Sequence, residues 1–174
     1  MRGCLESDVK IGILSDSHGR TKRLASALKA LLDRGAEAVV HCGDICAVEC
    51  LEALCACGVP AHVVAGNMDR HVARLQTAAA RGGANFAWEV IEVDLGDGRR
   101  LAATHGSDEA VLEQLVSGGQ FAYVCHGHTH RRRDERIGAV RVINPGALYH
   151  PRDGKPTVAL LDCRTDQLEF LGVG

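Results

Sequence analysis

Five short clusters of polar residues in this chain carry side chains that bind divalent metal ions, and each cluster follows an apolar run. The clusters are Asp16-Ser17-His18, Gly43-Asp44, Gly66-Asn67-Met68-Asp69, Thr104-His105-Gly106 and Gly127-His128-Thr129-His130. Carboxylate, imidazole and amide groups together suit ions such as Mn²⁺, Fe²⁺, Co²⁺, Ni²⁺ or Zn²⁺. No cysteine stands at a ligand position of these clusters, which disfavours a structural zinc site. The pattern predicts a hydrolytic metal site with nitrogen and oxygen ligands.

The spacing within the clusters allows two ions to be held side by side. Asp16 and His18 lie two residues apart where an apolar run ends, and His128 and His130 repeat that spacing. The carboxylate of Asp44 has two oxygens, so it can bridge two ions about 3.5–4 Å apart, the separation found in two-metal phosphate-cleaving enzymes. We therefore expect Asp44 to bridge the ions and a hydroxide to lie between them.

The elements that must position these clusters read as alternating strands and helices. The apolar runs at 9–14, 38–41 and 63–65 are short and rich in branched residues, as buried parallel strands are. Amphipathic stretches at 21–32 and 48–57 follow the first two runs and predict helices. This order is typical of parallel βαβ units, and ligands at the ends of such strands converge on one edge of the sheet.

The second half of the chain changes character. Runs at 90–95 and 99–104 flank Gly96-Asp97-Gly98 and predict a hairpin. Further strands are predicted at 121–125, 140–143, 158–162 and 167–171, and a helix at 108–116. Segment 82–85 is a candidate mobile loop, although an ordinary connection is favoured. With 174 residues and no linker, we expect one domain over residues 1–174.

Composition excludes several classes of protein. The formal net charge is −2 and aromatic residues make up 3% of the chain, so we expect no broad nucleic-acid surface. No apolar stretch reaches the ~20 residues of a membrane span, and the N-terminus does not resemble a signal peptide. We expect a cytoplasmic protein without membrane contact, and the sequence leaves a homo-oligomer open.

The 8 cysteines lack the paired spacing of zinc or iron–sulfur sites. Cys42, Cys46 and Cys50 recur at helix-compatible intervals, which favours small apolar side chains on one buried helical face. A redox-sensitive or metal-binding patch over residues 42–57 is the alternative, because Cys42 and Cys46 flank Asp44. Free thiols of this kind suit a reducing compartment.

The five clusters, taken in order, resemble the motifs of the calcineurin-like metallophosphoesterases, in particular the small single-domain bacterial and archaeal phosphodiesterases. That family's pattern is Asp-x-His, Gly-Asp, Gly-Asn, His-Gly and Gly-His-x-His, and Asn144-Pro145-Gly146-Ala147 is similar to a segment that often follows it. The matches span about residues 10–147, and ordered agreement of this extent is more specific than any single motif.

The resemblance implies an α/β fold, a two-sheet mixed β-sandwich flanked by helices in four αββα layers. It also implies a phosphoesterase, more often a phosphodiesterase, in which a hydroxide bridging two divalent metal ions attacks phosphorus. By position, the implied ligands of the first ion are Asp16, His18, Asp44 and His130, and those of the second ion are Asp44, Asn67, His105 and His128.

These assignments lead to further expectations about the site. We expect two divalent ions per chain, Mn²⁺ first, with Ni²⁺, Fe²⁺, Co²⁺ or Zn²⁺ as alternatives, and a small phosphate ester as the substrate. We assign Asp44, Asn67 and His105 to catalysis, and Asn67 and Arg131 to substrate binding. The rest of the run Arg131-Arg132-Arg133 is predicted to be a solvated charged loop.

Two positions depart from the family pattern. Met68 stands where many relatives carry a histidine that assists the leaving oxygen, and a thioether cannot supply that proton. Ser107 stands where some relatives carry another histidine. Asp69 is expected either to stabilise its loop or to position His105, and His126 is a candidate for supporting the metal ligands.

Other readings remain open at this stage. A non-catalytic metal-binding interaction scaffold of the same fold, such as the related retromer subunit, is the main alternative to an enzyme, and a thiol-based redox protein is a weaker one. Tyr149 and His150 are expected either to line the substrate entrance or to pack locally. The remaining histidines are expected to be surface or hydrogen-bonded residues, and His150 shares this expectation: His41, His62, His71 and His150.

Overall fold

The computed structural model of this protein describes residues 9–174 and contains two β-sheets. The elements, in chain order, are β1 (Lys10–Leu14), α1 (Thr21–Asp33), β2 (Ala38–Cys42), α2 (Val48–Cys55), β3 (Ala61–Val64), α3 (Val72–Gly82), β4 (Asn85–Ala87), β5 (Val90–Asp94), β6 (Arg100–Thr104), α4 (Glu109–Ser117), β7 (Tyr123–Cys125), β8 (Arg132–Ile137), β9 (Val140–Pro145), β10 (Thr157–Asp162) and β11 (Gln167–Gly172).

The first sheet has the strand order β11-β10-β1-β2-β3-β4. Its strands β1 to β4 run parallel, whereas β10 and β11 pair in antiparallel fashion. Parallel neighbours need a crossover connection, which α1, α2 and α3 supply. The carboxyl ends of β1, β2 and β3 therefore meet at one edge of this sheet.

The second sheet has the strand order β5-β6-β7-β9-β8. The central strands β6, β7 and β9 are parallel, and the edge strands β5 and β8 are antiparallel to their neighbours. The strands β5 and β6 form the predicted hairpin, with Val90 opposite Thr104. Both sheets are mixed, as the sequence predicts.

Three apolar clusters hold the layers together. Between the sheets, Ile11 and Val40 cluster with Leu101 and Ile143, and all four side chains are fully buried. Burying one such side chain stabilises the fold by about 1.5–3 kcal/mol. The apolar faces of α1, α2 and α3 cluster with the other face of the first sheet, and α4 packs on the second sheet. The predicted four-layer αββα sandwich is confirmed.

Some segments differ from their predicted structure. The elements α3, β4 and β8 are not predicted from the sequence. The strand β8 contains Arg132 and Arg133, so the prediction of a loop is wrong for these two residues. Charged residues on an edge strand discourage pairing with other chains. Segment 82–85 is an ordinary connection, in which Gly83 ends α3 with a φ of 78° and Asn85 begins β4.

The cysteines do not share one helical face. Cys42 ends β2, Cys46 lies in the next loop, and of these three only Cys50 lies in α2, so that prediction is wrong. Cys42 and Cys50 are buried, whereas Cys46 is exposed. Cys4 lies outside the described residues. Between residues 9 and 174, no helix is both long enough and apolar enough to cross a membrane.

Candidate metal centre

The predicted ligands meet at one edge of the sandwich, because each follows a parallel strand. Asp16 and His18 follow β1, Asp44 follows β2, Asn67 follows β3, His105 follows β6, and His128 and His130 follow β7. The two sheets are joined here, since His105 Nδ1 lies 2.8 Å from the Cys42 carbonyl oxygen at the end of β2. The structure therefore brings together all of the predicted ligand clusters.

One group of ligand atoms comes from Asp16, His18 and His130, which offer atoms within 4.8 Å of one another. Asp16 Oδ1 lies 3.1 Å from His130 Nε2 and 3.8 Å from His18 Nε2. The other oxygen, Oδ2, accepts the Ser15 hydroxyl at 2.6 Å and the His128 N–H at 3.1 Å. These two hydrogen bonds orient the carboxylate so that Oδ1 faces the imidazoles.

A second group comes from Asp44, His105 and Asp16, again within 4.8 Å. Asn67 adds its Oδ1, which lies 2.9 Å from His105 Nε2. The His128 ring lies beside that of His105, with 5.1 Å between the ring centroids.

Asp44 lies between the two groups. Its Oδ2 is 3.5 Å from His18 Nε2 and 3.4 Å from His105 Nε2. Its Oδ1 accepts the Met68 N–H at 2.8 Å, which fixes the carboxylate. One oxygen of Asp44 thus touches a ligand nitrogen of each group, the arrangement that a bridging ligand requires.

The hydrogen bonds of the ring nitrogens show that these residues fit a cation. His105 Nδ1 and His130 Nδ1 contact backbone carbonyls at 2.8 and 3.0 Å, and a carbonyl only accepts, so both Nδ1 atoms carry hydrogen. In the neutral rings, Nε2 then bears a lone pair. Yet His105 Nε2 faces Asn67 Oδ1, and His130 Nε2 faces Asp16 Oδ1. Facing lone pairs repel each other unless a proton or a metal cation lies between them, and all four atoms are ligand types that a divalent cation accepts.

Two buried atoms without a hydrogen-bond partner also indicate that the site suits a cation. Asp16 Oδ1 and His18 Nε2 are such atoms. An unsatisfied buried polar group costs about 1–3 kcal/mol, and more when it is charged. A divalent cation satisfies carboxylate and imidazole lone pairs together, and second hydrogen bonds at Nδ1 are the usual way in which metal-binding histidines are oriented.

The electrostatics of the cluster favour positive charge. Burial raises the pKa of the Asp16 carboxyl, but its contacts with the His130 and His18 rings outweigh burial and hold this pKa well below its usual range. The pKa of His130 is raised, first by its contact with the Asp16 carboxylate. Burial lowers the pKa of His105, but its interactions with Asp44 raise it overall. The carboxylates are therefore ionised and attract cations.

Most of the ligands have an uncommon backbone conformation. The φ angles are 55° at Asp16, 42° at His18, 55° at Asp44, 64° at His128 and 57° at His130. Such left-handed conformations cost roughly 1–3 kcal/mol each in residues other than glycine and concentrate at functional sites. These ligands lie in the turns that follow β1, β2 and β7.

Glycines let the ligand loops approach closely. A Cβ at Gly43 would collide with the His105 ring, and one at Gly66 would collide with Asp44. A Cβ at Gly127 would meet the Ser15 hydroxyl. The glycine in each of these clusters is therefore needed for contact between loops.

Asp69 stabilises the loops rather than contacting His105. It is 5% exposed. Its Oδ1 accepts the Cys46 N–H at 2.6 Å, and its Oδ2 accepts the N–H groups of Gly66 at 2.7 Å and Ile45 at 3.3 Å. Asp69 thereby joins the loop after β2 to the loop after β3, which carry Asp44 and Asn67.

Tyr149, Met68 and His126 lie close to the ligand groups. Tyr149 lies over His18, with 5.2 Å between ring centroids, and the Arg20 guanidinium lies 4.6 Å from the Tyr149 ring centroid. Met68 is exposed. His126 is buried, and its Nδ1 lies 3.1 Å from the Gly127 carbonyl oxygen, so it supports the loop that carries His128 without joining the ligand groups.

The histidines predicted to be surface or hydrogen-bonded residues do not join the ligand groups. His41 is fully buried and contacts the Ser17 hydroxyl at 3.0 Å, and His62 is also buried. His71 and His150 are exposed.

Two contacts at the site were not predicted. Ser15 orients Asp16, and its only signal in the sequence is that it precedes the Asp-x-His motif. The Cys46 sulfur lies 3.6 Å from His18 Nδ1, a contact for which the sequence shows only the closeness of Cys46 to Asp44.

Comparison with known proteins identifies the family of the chain. Residues 9–166 match the family model of the calcineurin-like phosphoesterase superfamily domain. The phosphodiesterase MJ0936 of Methanocaldococcus jannaschii is 32% identical over 165 residues, covering 93% of this chain and 96% of that protein. The probable metallophosphoesterase YsnB of Bacillus subtilis is 26% identical over 148 residues, covering 80% of this chain and 75% of that protein.

A solved structure of an archaeal phosphodiesterase has the same fold. It superposes with a TM-score of 0.84 at 29% identity, covering 95% of this chain and 100% of that one. The shared fold and the shared sequence lead to one assignment. The chain belongs to the calcineurin-like phosphoesterase superfamily.

Proposed function

We propose that this protein is a phosphodiesterase that hydrolyses small phosphate diesters at a site for two divalent cations. The observation that carries the proposal is the position of Asp44 Oδ2, 3.5 Å from His18 Nε2 and 3.4 Å from His105 Nε2. One carboxylate oxygen between two ligand groups is what a pair of neighbouring ions requires. The similarity to archaeal phosphodiesterases supports the reaction class.

The two ligand groups suggest how the ions are held. Asp16, His18, Asp44 and His130 would hold the first ion, and Asp44, Asn67, His105 and His128 the second. The mixed donor set suits Mn²⁺, our first candidate, with Ni²⁺, Fe²⁺, Co²⁺ and Zn²⁺ as alternatives. Two such ions supply a hydroxide nucleophile at neutral pH and neutralise charge on the phosphoryl oxygens.

The chain itself binds and orients the ester. Asn67 is exposed and its Oδ1 contacts His105, so its amide nitrogen is available as a donor to a phosphate oxygen. Arg131 is also exposed, and among residues 9–174 no carboxylate lies within 4.0 Å of its guanidinium. Its neighbours Arg132 and Arg133 are paired with Asp153 and Glu135. Arg131 is therefore free to bind a phosphate through two hydrogen bonds.

Met68 does not supply a proton to the leaving oxygen of the ester. Met68 has no proton to donate, and its backbone N–H is bound to Asp44. We therefore propose that the protein prefers esters whose leaving oxygen is stable as an anion.

The alternatives are less well supported. A non-catalytic metal-binding scaffold could use the same converging ligand atoms, so it is the similarity to archaeal phosphodiesterases that favours an enzyme. A thiol-based redox function would need a reactive thiolate, but partial burial of its thiol, together with the nearby carboxylates, raises the pKa of Cys46 to about 12. A cytoplasmic location and a homo-oligomeric state stay predictions.

The reaction class is tested with metal-stripped protein resupplied separately with Mn²⁺, Ni²⁺, Co²⁺, Zn²⁺ or Mg²⁺. Bis-(p-nitrophenyl) phosphate and p-nitrophenyl phosphate serve as diester and monoester. We expect metal-restored cleavage with a higher kcat/KM for the diester. Faster monoester cleavage would contradict the diester preference, and metal binding without cleavage of either ester would favour the scaffold.

A further inference from the structure

His18 differs from the other oriented ligand histidines in how its ring is held. In His105 and His130, Nδ1 contacts a backbone carbonyl oxygen at 2.8 and 3.0 Å. In His18, Nδ1 lies 3.6 Å from the sulfur of Cys46 instead. A backbone carbonyl is present whatever the residue, whereas the partner of His18 depends on one particular side chain.

The structure holds Cys46 firmly in this place. Its N–H donates to Asp69 Oδ1 at 2.6 Å, and its φ of 62° puts it in the left-handed region. This conformation is uncommon for residues other than glycine, so it is maintained by the surrounding contacts. The Asp69 anchor therefore fixes the backbone of Cys46, and the contacts of the sulfur with His18 and Met68 define the orientation of its side chain.

The second contact of the thiol sets the direction of the hydrogen bonds. The Cys46 sulfur also lies 3.7 Å from the Met68 carbonyl oxygen. That oxygen only accepts, so the thiol hydrogen is donated to Met68. The sulfur then accepts from His18, whose ring carries its hydrogen on Nδ1. The Nε2 atom is left with a lone pair, 3.5 Å from Asp44 Oδ2 and 3.8 Å from Asp16 Oδ1.

We propose that Cys46 is a positioning residue whose thiol accepts the Nδ1 hydrogen of His18 and thereby presents Nε2 to the cation of the first group. The inference rests on the proposed metal site. Cys46 also joins two loops, because its sulfur contacts both His18, which follows β1, and Met68, which follows β3. Groups that orient a metal-binding histidine in this way typically change metal affinity or activity by 10–100-fold when removed.

The test compares Cys46→Ala, which removes the acceptor, with Cys46→Ser, which keeps an acceptor and a donor. Cys57→Ala is the matched control, since its sulfur likewise contacts a backbone carbonyl oxygen, that of Val59 at 3.5 Å, on the loop after α2. Long-range ¹H–¹⁵N spectra of the metal-free proteins, at a pH where the ring is neutral, report which nitrogen of His18 carries hydrogen. Calorimetric titration with Mn²⁺ reports affinity for each ion.

We expect His18 hydrogen on Nδ1 in the wild-type protein and a mixture of both forms in Cys46→Ala. In that variant one Mn²⁺ binds about 10–100-fold more weakly. Cys46→Ser recovers most of the affinity, and Cys57→Ala is unchanged.

Several results would overturn the inference. One is an affinity for Mn²⁺ in Cys46→Ala equal to that of the wild-type protein. The others are equal losses of Mn²⁺ affinity in Cys46→Ala and Cys46→Ser, or a loss of Mn²⁺ affinity in Cys57→Ala. If Cys46→Ala does not fold, the wild-type spectrum alone decides, since hydrogen on Nε2 of His18 contradicts the proposed hydrogen bond. Absence of binding of Mn²⁺, Ni²⁺, Co²⁺ and Zn²⁺ alike by the wild-type protein would overturn the proposed function itself. Normal Mn²⁺ binding with an unchanged His18 ring in Cys46→Ala would overturn only this inference.

Discussion

Replacing Asp69 with alanine should destabilise the protein far more than replacing an exposed aspartate. The Asp69 carboxylate is nearly buried and accepts backbone N–H groups at 2.6, 2.7 and 3.3 Å. Hydrogen bonds to a charged group contribute about 1.5–3 kcal/mol each, and each donor left unpaired costs about 1–3 kcal/mol.

The size of the effect follows from those three bonds. The two short ones contribute fully, the long one contributes little, and the cost of burying the carboxylate offsets part of the sum, since burial raises the pKa of Asp69. We expect Asp69→Ala to lower the free energy of unfolding by about 3–5 kcal/mol. Asp69→Asn keeps one acceptor oxygen, so its effect should be intermediate.

Urea unfolding of the metal-free proteins, followed by far-ultraviolet circular dichroism, measures these differences. Circular dichroism is preferable to fluorescence, because the single tryptophan, Trp88, is 68% exposed. Asp94→Ala is the control: Asp94 accepts one N–H, from Gly96 at 2.8 Å, in an exposed turn, and its loss should cost about 1 kcal/mol or less. A loss in Asp69→Ala no larger than in the control would refute the role assigned to Asp69.

Three further predictions concern pH, the leaving group and the substrate. Burial lowers the pKa of His62 to about 4 from its usual value of about 6.5, so the metal-free protein loses stability as the pH falls from 6.5 toward 4. At pH 5 we expect His62 to account for about 2 kcal/mol of that loss, and equal losses in wild type and His62→Gln would contradict this. Met68→His adds a proton donor and should raise kcat about tenfold or more for diesters with poor leaving groups. An equal change in kcat for all leaving groups would contradict the proposal that the wild-type site lacks a proton donor for the leaving oxygen. Arg131→Gln should raise KM about tenfold at nearly constant kcat, whereas Arg133→Gln, whose arginine is paired with Glu135, should not.

The site could be predicted largely because its ligands are attached directly to strand ends. Asp16 and Asp44 each follow a buried run of branched residues, and parallel strands bring their carboxyl ends together. The convergence of Asp16, His18 and His130 within 4.8 Å follows from that topology, although the chain separates the first and last of them widely.

The missed elements had weak or misleading patterns. The buried face of α3 consists of Val72, Leu75 and Ala79, where alanine gives little contrast with the exposed face. The strand β8 is charged along its length and mostly exposed, so its pairing with β9 shows only in the folded chain. A run of arginines and acids reads as a loop unless a neighbouring strand is known.

The contacts between loops could not be predicted for a different reason. Asp69 and Cys46 are 23 residues apart, and Cys46 and His18 are 28 apart. Their distances depend on how the loops after β1, β2 and β3 sit on the finished sheet. Local sequence therefore placed Asp69 in a loop-stabilising role only as one of two alternatives, and it did not indicate that the Cys46 sulfur contacts His18.

We propose that Asp44 holds two cations for hydrolysis, and the decisive measurement is metal content together with diester cleavage in Asp44→Asn. We predict about two ions per wild-type chain, weakened binding of both in Asp44→Asn, and loss of hydrolysis. His18→Ala and His128→Ala serve as controls, and each should mainly lose one ion. Two tightly bound ions and near-normal cleavage in Asp44→Asn would contradict the bridging role and with it the proposed mechanism.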